Sequence, residues 1–277
     1  MKERGAVLLM VLALMILLVS LTGGFLYATG VFIGNSGWEE TDAQVLCLSE
    51  AGMQKAVWNL KTPSGSGGQG ENWTTAGTTQ VLGGGSYTMV VERWDFALSS
   101  NSAAASATSS SAGNPASNAI DNNAATFWES NAQPTAGSPQ DLIITFPYPL
   151  TLNKVRFVAP SSQTVPRDYT WAVSSNGVSY TSVGAVGNNN TTLDVTTTFS
   201  AQSSVSYLRL RVTQDGTGNP QRVRVSLLEA IGSRVTSTGT IAVSGTNYTR
   251  SARQAFVTDD ASPQSQVAYK EPDWSEL

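Results

Sequence analysis

Read as a succession of apolar and polar positions, the chain changes its period several times. From Ala6 to Leu21 almost every residue is aliphatic, and no charged residue lies between Gly5 and Trp38. About 20 such residues span a bilayer as a helix, so the segment predicts a retained membrane helix. A cleaved secretory signal has an apolar core of roughly 7–15 residues and then a small-x-small cleavage site. The run here is longer, and its best such site, around Ala28, is poor. The period then turns helical and amphipathic. In TDAQVLCLSEAGMQKAVWNL, Leu46, Met53, Val57 and Leu60 recur at heptad-like spacing. Gly23-Gly24 and the Gly34–Gly37 stretch are expected to loosen the helix between its halves. Cys47, on the second half, reads as a small buried residue.

Beyond Lys61 the pattern becomes that of short strands. Residues 62–86, rich in Gly, Ser and Thr, read as a loop, and GGGSYTMVVERW as a strand in which Tyr87, Met89 and Val91 alternate with their neighbours. A polar Ser/Ala/Asn stretch follows. Then come alternating segments at 141–146, 154–159, 169–174, 207–212 and 222–230, the density expected of a β-sandwich. SRVTSTGTIAV (233–243) and TRSARQAFV close the readable strands.

Composition removes several functions. With no histidine, a Ser-His-Asp or Cys-His group and a histidine-ligated zinc are impossible, and one cysteine allows no internal disulfide. A net charge of −4 argues against nucleic acid as a partner. Asp168, Asp194 and Asp215 lie singly in loop-like settings, which leaves no paired carboxylates for catalysis; the chain reads as a non-enzyme.

Two resemblances organise the rest. Lys2-Glu3-Arg4-Gly5 ahead of the apolar run resembles the leader of type IV pilins and pseudopilins. That likeness implies cleavage between Gly5 and Ala6 and retention of the helix for packing in a filament. The glutamate usual five residues into the mature chain is Met10 here, as it often is replaced in minor pilins of the PilX type, and Ser49-Glu50-Ala51-Gly52 resembles their Ala-Glu-Ala-Gly stretch. The same likeness pairs the Tyr87 strand with Ser233–Val243, so that residues 97–231 are inserted between two neighbouring strands. The implied fold is an α+β pilin, a long N-terminal helix plus a small β head, with an inserted all-β jelly-roll sandwich. Its parts are a leader (1–5), an assembly helix (6–60), a split head (61–96 and 232–277) and the insert (97–231).

Within the insert, the landmarks in order are Asn118-Ala119-Ile120-Asp121-Asn122-Asn123 with Thr126 and Trp128, then Pro166-Arg167-Asp168-Tyr169, Ser174-Ser175-Asn176-Gly177, Tyr207-Leu208-Arg209-Leu210 and Ser226-Leu227-Leu228-Glu229. They resemble a discoidin-type (coagulation factor C-type, galactose-binding-like) domain, in which the glycine usual after Asp121 is here Asn122, a residue that keeps access to left-handed backbone angles. The resemblance implies one calcium ion held by Asp121, Thr126 and the carbonyls of Asn118 and Asn123. Glu229 and the carbonyl of Leu228 would close the shell, and oxygen donors in a carbonyl-dense turn suit that ion. It also implies glycan binding at loops of one end, with Glu129, Ser130, Arg167, Asn219 and Arg222 as candidates, while Trp128 and Trp171 read as core. Arg209, Arg211, Arg222 and Arg224 read either as a solvated strand face or as a basic patch for sulfated glycans. The expectation is a bacterial minor pilin, in the inner membrane and then the extracellular pilus, partnered by other pilin subunits and displaying an adhesive domain. Its rivals are a membrane-anchored carbohydrate-binding protein outside any filament and a purely structural pilus spacer.

Overall fold

The computed structural model describes residues 2–186, 189–216 and 221–256. Helix α1 (Lys2–Lys61) runs 60 residues without a break, so the glycines that were expected to loosen it do not. A glycine costs a helix only about 1 kcal/mol, too little by itself to interrupt the ladder. The side chains of residues 2–14 lie outside the description; the processing pair Gly5-Ala6 and the first half of the predicted span fall there. Among the described residues no helix is long and apolar enough to cross a membrane. Leu18, Leu21, Phe25, Leu26 and Tyr27 are all exposed on α1.

Eleven strands follow among the described residues: β1 (Thr75–Leu82), β2 (Gly85–Asp95), β3 (Ala104–Ala107), β4 (Trp128–Glu129), β5 (Gln140–Val158), β6 (Asp168–Ser174), β7 (Thr181–Val186), β8 (Asp194–Gln214), β9 (Arg224–Val225), β10 (Leu227–Val243) and β11 (Thr246–Phe256). Most of the fold is a β-sandwich. β1, β2, β10 and β11 form a small antiparallel sheet, the head, against the second half of α1. β1 was expected to be loop, but its TTQVL residues pair with β2 as a hairpin. The helix buries Val45, Leu48, Met53, Ala56 and Leu60 on the sheet, while Leu46 and Val57 only flank that face and Cys47 is exposed rather than buried. Close approach explains the choice of small residues. A Cβ on Gly52 would stand 2.2 Å from Ser237 Oγ, and one on Gly239 would stand 2.2 Å from the Val45 carbonyl oxygen.

β10 carries the chain from one unit into the other. Leu227–Ala230 pair with β5, and from Ile231 onward the same strand pairs with β2 and then also with β11. β2 leads into the insert as β10 leaves it, with Asp95 opposite Ile231. The Asp95 carboxylate fastens this crossing, since Oδ1 accepts the backbone N–H of both Ala97 and Ala230, each at 2.9 Å.

In the insert, the predicted strands 141–146 and 154–159 are two parts of one element. β5 contains Pro147 and Pro149, which cannot donate to a ladder, and its register against β8 shifts between Thr145 and Leu150. The strand bends there from one layer of the sandwich into the other. The core between the layers holds Trp128, Trp171, Phe157 and Tyr169, all buried. Phe157 meets Tyr169 edge to face with ring centroids 5.0 Å apart, a favoured aromatic geometry. Trp128 and Trp171 are thus core residues, as the alternation implied.

Candidate functional site

One end of the sandwich gathers three loops: 159–167 between β5 and β6, the connection from β7 to β8, and the segment after β8. Backbone bonds tie them together. Arg167 N–H donates to the Gln214 carbonyl (2.9 Å), Asn190 N–H to the Arg167 carbonyl (3.1 Å), and Arg224 N–H to the Thr164 carbonyl (2.9 Å). Gly216 permits the closest approach, because a Cβ there would meet the Gln163 carbonyl at 2.3 Å. Among the described residues these bonds join the three segments at one end.

Arg167 donates through Nη2 to Asn189 Oδ1 at 2.5 Å, while its buried Nε has no partner among the described residues. Asp215, immediately after β8, is only 3% exposed and its Oδ2 likewise has none. Burial pushes the Asp215 carboxyl up, and the nearby Arg167 charge pulls it partly back. Orphaned buried polar atoms are rare and costly, and two of opposite character lie at this loop end among the described residues. Asp215 was read from the sequence as an isolated loop acid. Only its burial distinguishes it, and nothing local signals that.

The other candidates form a different cluster. Glu129 on β4 is 4% exposed and accepts Arg222 Nη1 at 2.9 Å and Arg224 Nε. Burial would raise its carboxyl, but the two arginines and Ser111 more than offset that and hold it below the usual range. Ser130 is fully buried; its hydroxyl donates to the Ala132 carbonyl (2.8 Å) and accepts the Val223 N–H (3.1 Å). Glu129 and Arg222 therefore bond to each other across the β4–β9 pair, and Ser130 bonds to the backbone beside it. Asn219 lies outside the described residues. The arginines of the proposed basic patch are also engaged. Arg211 forks onto Asp141 at 2.8 Å through both Nε and Nη2, and Arg209 lies 4.0 Å over the Tyr180 ring. The solvated-face reading fits them, since their charge is compensated locally.

The expected calcium loop is only partly assembled. Asn122 adopts the left-handed conformation (φ 60°) foreseen for it. Thr126 Oγ1 stands 2.6 Å from Asp121 Oδ2 and 2.8 Å from the Asn123 carbonyl oxygen, so three oxygen donors converge. Asn118 uses its side chain to donate to the Phe127 carbonyl at 3.2 Å. Glu229 is not brought to this group. Leu228 points into the core, which turns Glu229 to the outer face, where Oε2 accepts Arg156 Nη1 at 2.6 Å and Arg93 Nη2 at 2.7 Å. The six-residue shell does not fit as predicted, because its closing carboxylate is committed to two cations. Among the described residues no group of three or more acidic or cysteine side chains could hold a metal ion.

Residues 102–226 match the F5/8 type C domain family. Three similar solved structures are carbohydrate-binding modules. The fifth family 32 module of a Clostridium perfringens protein, in complex with GalNAc-β-1,3-galactose, is 19% identical and covers 50% of this chain and 99% of its own, with a TM-score of 0.43. Chitosan-binding module 1 of a Paenibacillus chitosanase/glucanase is 26% identical, covering 50% and 98%, with a TM-score of 0.41. The family 32 module of Clostridium perfringens NanJ, in complex with galactose, is 24% identical, covering 50% and 99%, with a TM-score of 0.42. No curated protein matches the chain.

Proposed function

We propose that the chain is a membrane-anchored minor pilin whose inserted F5/8 type C domain binds glycans at the loop end built around Arg167 and Asp215. The observation that carries the binding reading is the pair of buried polar atoms on those two residues that have no partner among the described residues, at one end of the sandwich. A glycan is the ligand class expected of the F5/8 type C match over residues 102–226. The reading is of a binding role, and the lack of histidine in the sequence is in keeping with it. The pilin reading is supported by an apolar helix whose second half packs on a four-stranded antiparallel head while its first half projects with Leu18, Leu21, Phe25 and Leu26 exposed. A calcium ion with a smaller shell, held by Asp121, Asn123 and Thr126 without Glu229, is part of this proposal.

Two experiments test this. On a glycan array the full chain binds at least one galactose-type glycan and R167A loses it; binding that R167A leaves unchanged refutes the loop-end site. Mass spectrometry of the processed amino terminus distinguishes a filament subunit, beginning at Ala6, from a simple membrane anchor that retains Met1.

A further inference from the structure

Between the head and the insert lies a cleft of about 560 Å³ that neither unit forms alone. Its volume falls within the roughly 300–1,000 Å³ usual for small-molecule sites. One wall is Trp73, in the turn between α1 and β1, whose half-buried indole leans against the head core. The facing wall is the outer surface of the three-stranded layer of the sandwich, where β5 presents Lys154 and Arg156 and β8 presents Thr196 and Thr198.

The charges in this cleft cancel. Lys154 Nζ is bonded to Glu71, Arg156 forks onto Asp194 at 2.6 and 2.7 Å and also reaches Glu229, and Arg93 meets Glu229 at 2.7 Å. Three cations face three carboxylates, so there is no net field to select an anion or a cation. Hydrogen-bonding capacity is left over nonetheless. Arg93 is 47% exposed and spends one of its five N–H groups on Glu229. Asp194 is 55% exposed and keeps lone pairs beyond those Arg156 uses. The hydroxyls of Thr196 and Thr198 have no partner among the described residues. An indole wall opposite fixed donors and acceptors whose charges are already compensated suits a neutral, polyhydroxylated ring. Its C–H face lies on the aromatic and its hydroxyls bond to the paired ions.

We propose that this junction cleft is a second binding site, for a neutral saccharide, made jointly by head and insert. It shares none of its lining residues with the loop end and does not depend on binding there. The test titrates lactose and diacetylchitobiose into the isotope-labelled full chain in detergent micelles. It follows the Trp73 indole N–H resonance, assigned by its loss in W73F. The expected result is a saturable shift with at least one sugar, weakened about tenfold by T196W, which fills the cleft from the insert side without touching the head core. R167A should leave that shift unchanged. A resonance that neither sugar moves, or that moves equally in T196W, overturns the cleft; a shift abolished by R167A assigns the sugar to the loop end instead. Loss of array binding in R167A with the Trp73 shift intact separates the two sites.

Discussion

Asp95 sits where the chain passes from head to insert, and the substitution Asp95→Asn probes what that position does. Its side chain accepts two backbone N–H bonds at one oxygen, Oδ1. Burial, the largest influence, pushes its carboxyl from the ordinary 3.8 up to about 6, against the opposing pull of those two bonds. A group whose proton is held more tightly in the folded state contributes stability that is complete below its unfolded value and lost as pH rises through its folded value. The window therefore runs from about 3.8 to about 6, and the difference corresponds to about 3 kcal/mol at neutral pH. An asparagine in this place would keep an oxygen for both N–H groups and carry no charge at any pH. The variant is thus expected to be more stable than the parent at pH 7.5, by up to about 3 kcal/mol, and to match it near pH 3.5. Urea unfolding at a series of pH values measures this, provided the denaturant slope is unchanged. Two results refute the reasoning: D95N less stable than the parent at pH 7.5, or the same pH dependence in both proteins between 4 and 7.

The other predictions concern packing and the ion. Gly239→Ala should destabilise the head by about 1–3 kcal/mol, because the added carbon meets helix backbone that cannot rotate away; a thermal melt within error of the parent would contradict the close helix–sheet contact. Trp128→Ala should cost the sandwich about 3–5 kcal/mol, since the ring is fully buried and its N–H donates to the Ser109 carbonyl. Near-ultraviolet circular dichroism should lose the Trp128 contribution while Trp171 keeps its own. Asp121→Ala should lower the melting temperature in calcium but not in EDTA, while Glu229→Gln should leave the response to calcium intact. Equal melting of D121A and the parent in calcium would dismiss the ion, and a calcium response lost in E229Q would restore Glu229 to the shell.

What could be read from the sequence depended on how local the signal was. Tyr87, Met89 and Val91 bury by simple alternation, and their partner strand announced itself more than a hundred residues later by a matching pattern. The glycine-rich approach to β1 hid a hairpin, because threonines facing solvent on both sides give no period to read. On α1 the spacing suggested a face of Leu46, Met53, Val57 and Leu60; the sheet buries Met53 and Leu60 but only borders on Leu46 and Val57, because contact centres on the stripe with Gly52 and Ala56 that lets it approach. Site chemistry was harder still. Glu129 and Arg222 are far apart in sequence and satisfy each other only after folding, and Glu229 is diverted from the loop by arginines on β2 and β5. The loop turn at Asn122, by contrast, is a local conformational demand, and it was legible.

Because Asp95 and Ile231 face each other on adjacent antiparallel strands, the entire sandwich hangs from a point where two consecutive strands would otherwise need only a tight turn. The head is in this sense a socket. Replacing residues 96–230 with a two-residue Asn-Gly connection would leave all the cross-strand pairs from Ile231–Asp95 to Ile241–Gly85 in place. A different module whose own ends lie one strand spacing apart could be grafted there, exchanging what the stalk presents without redesigning the stalk.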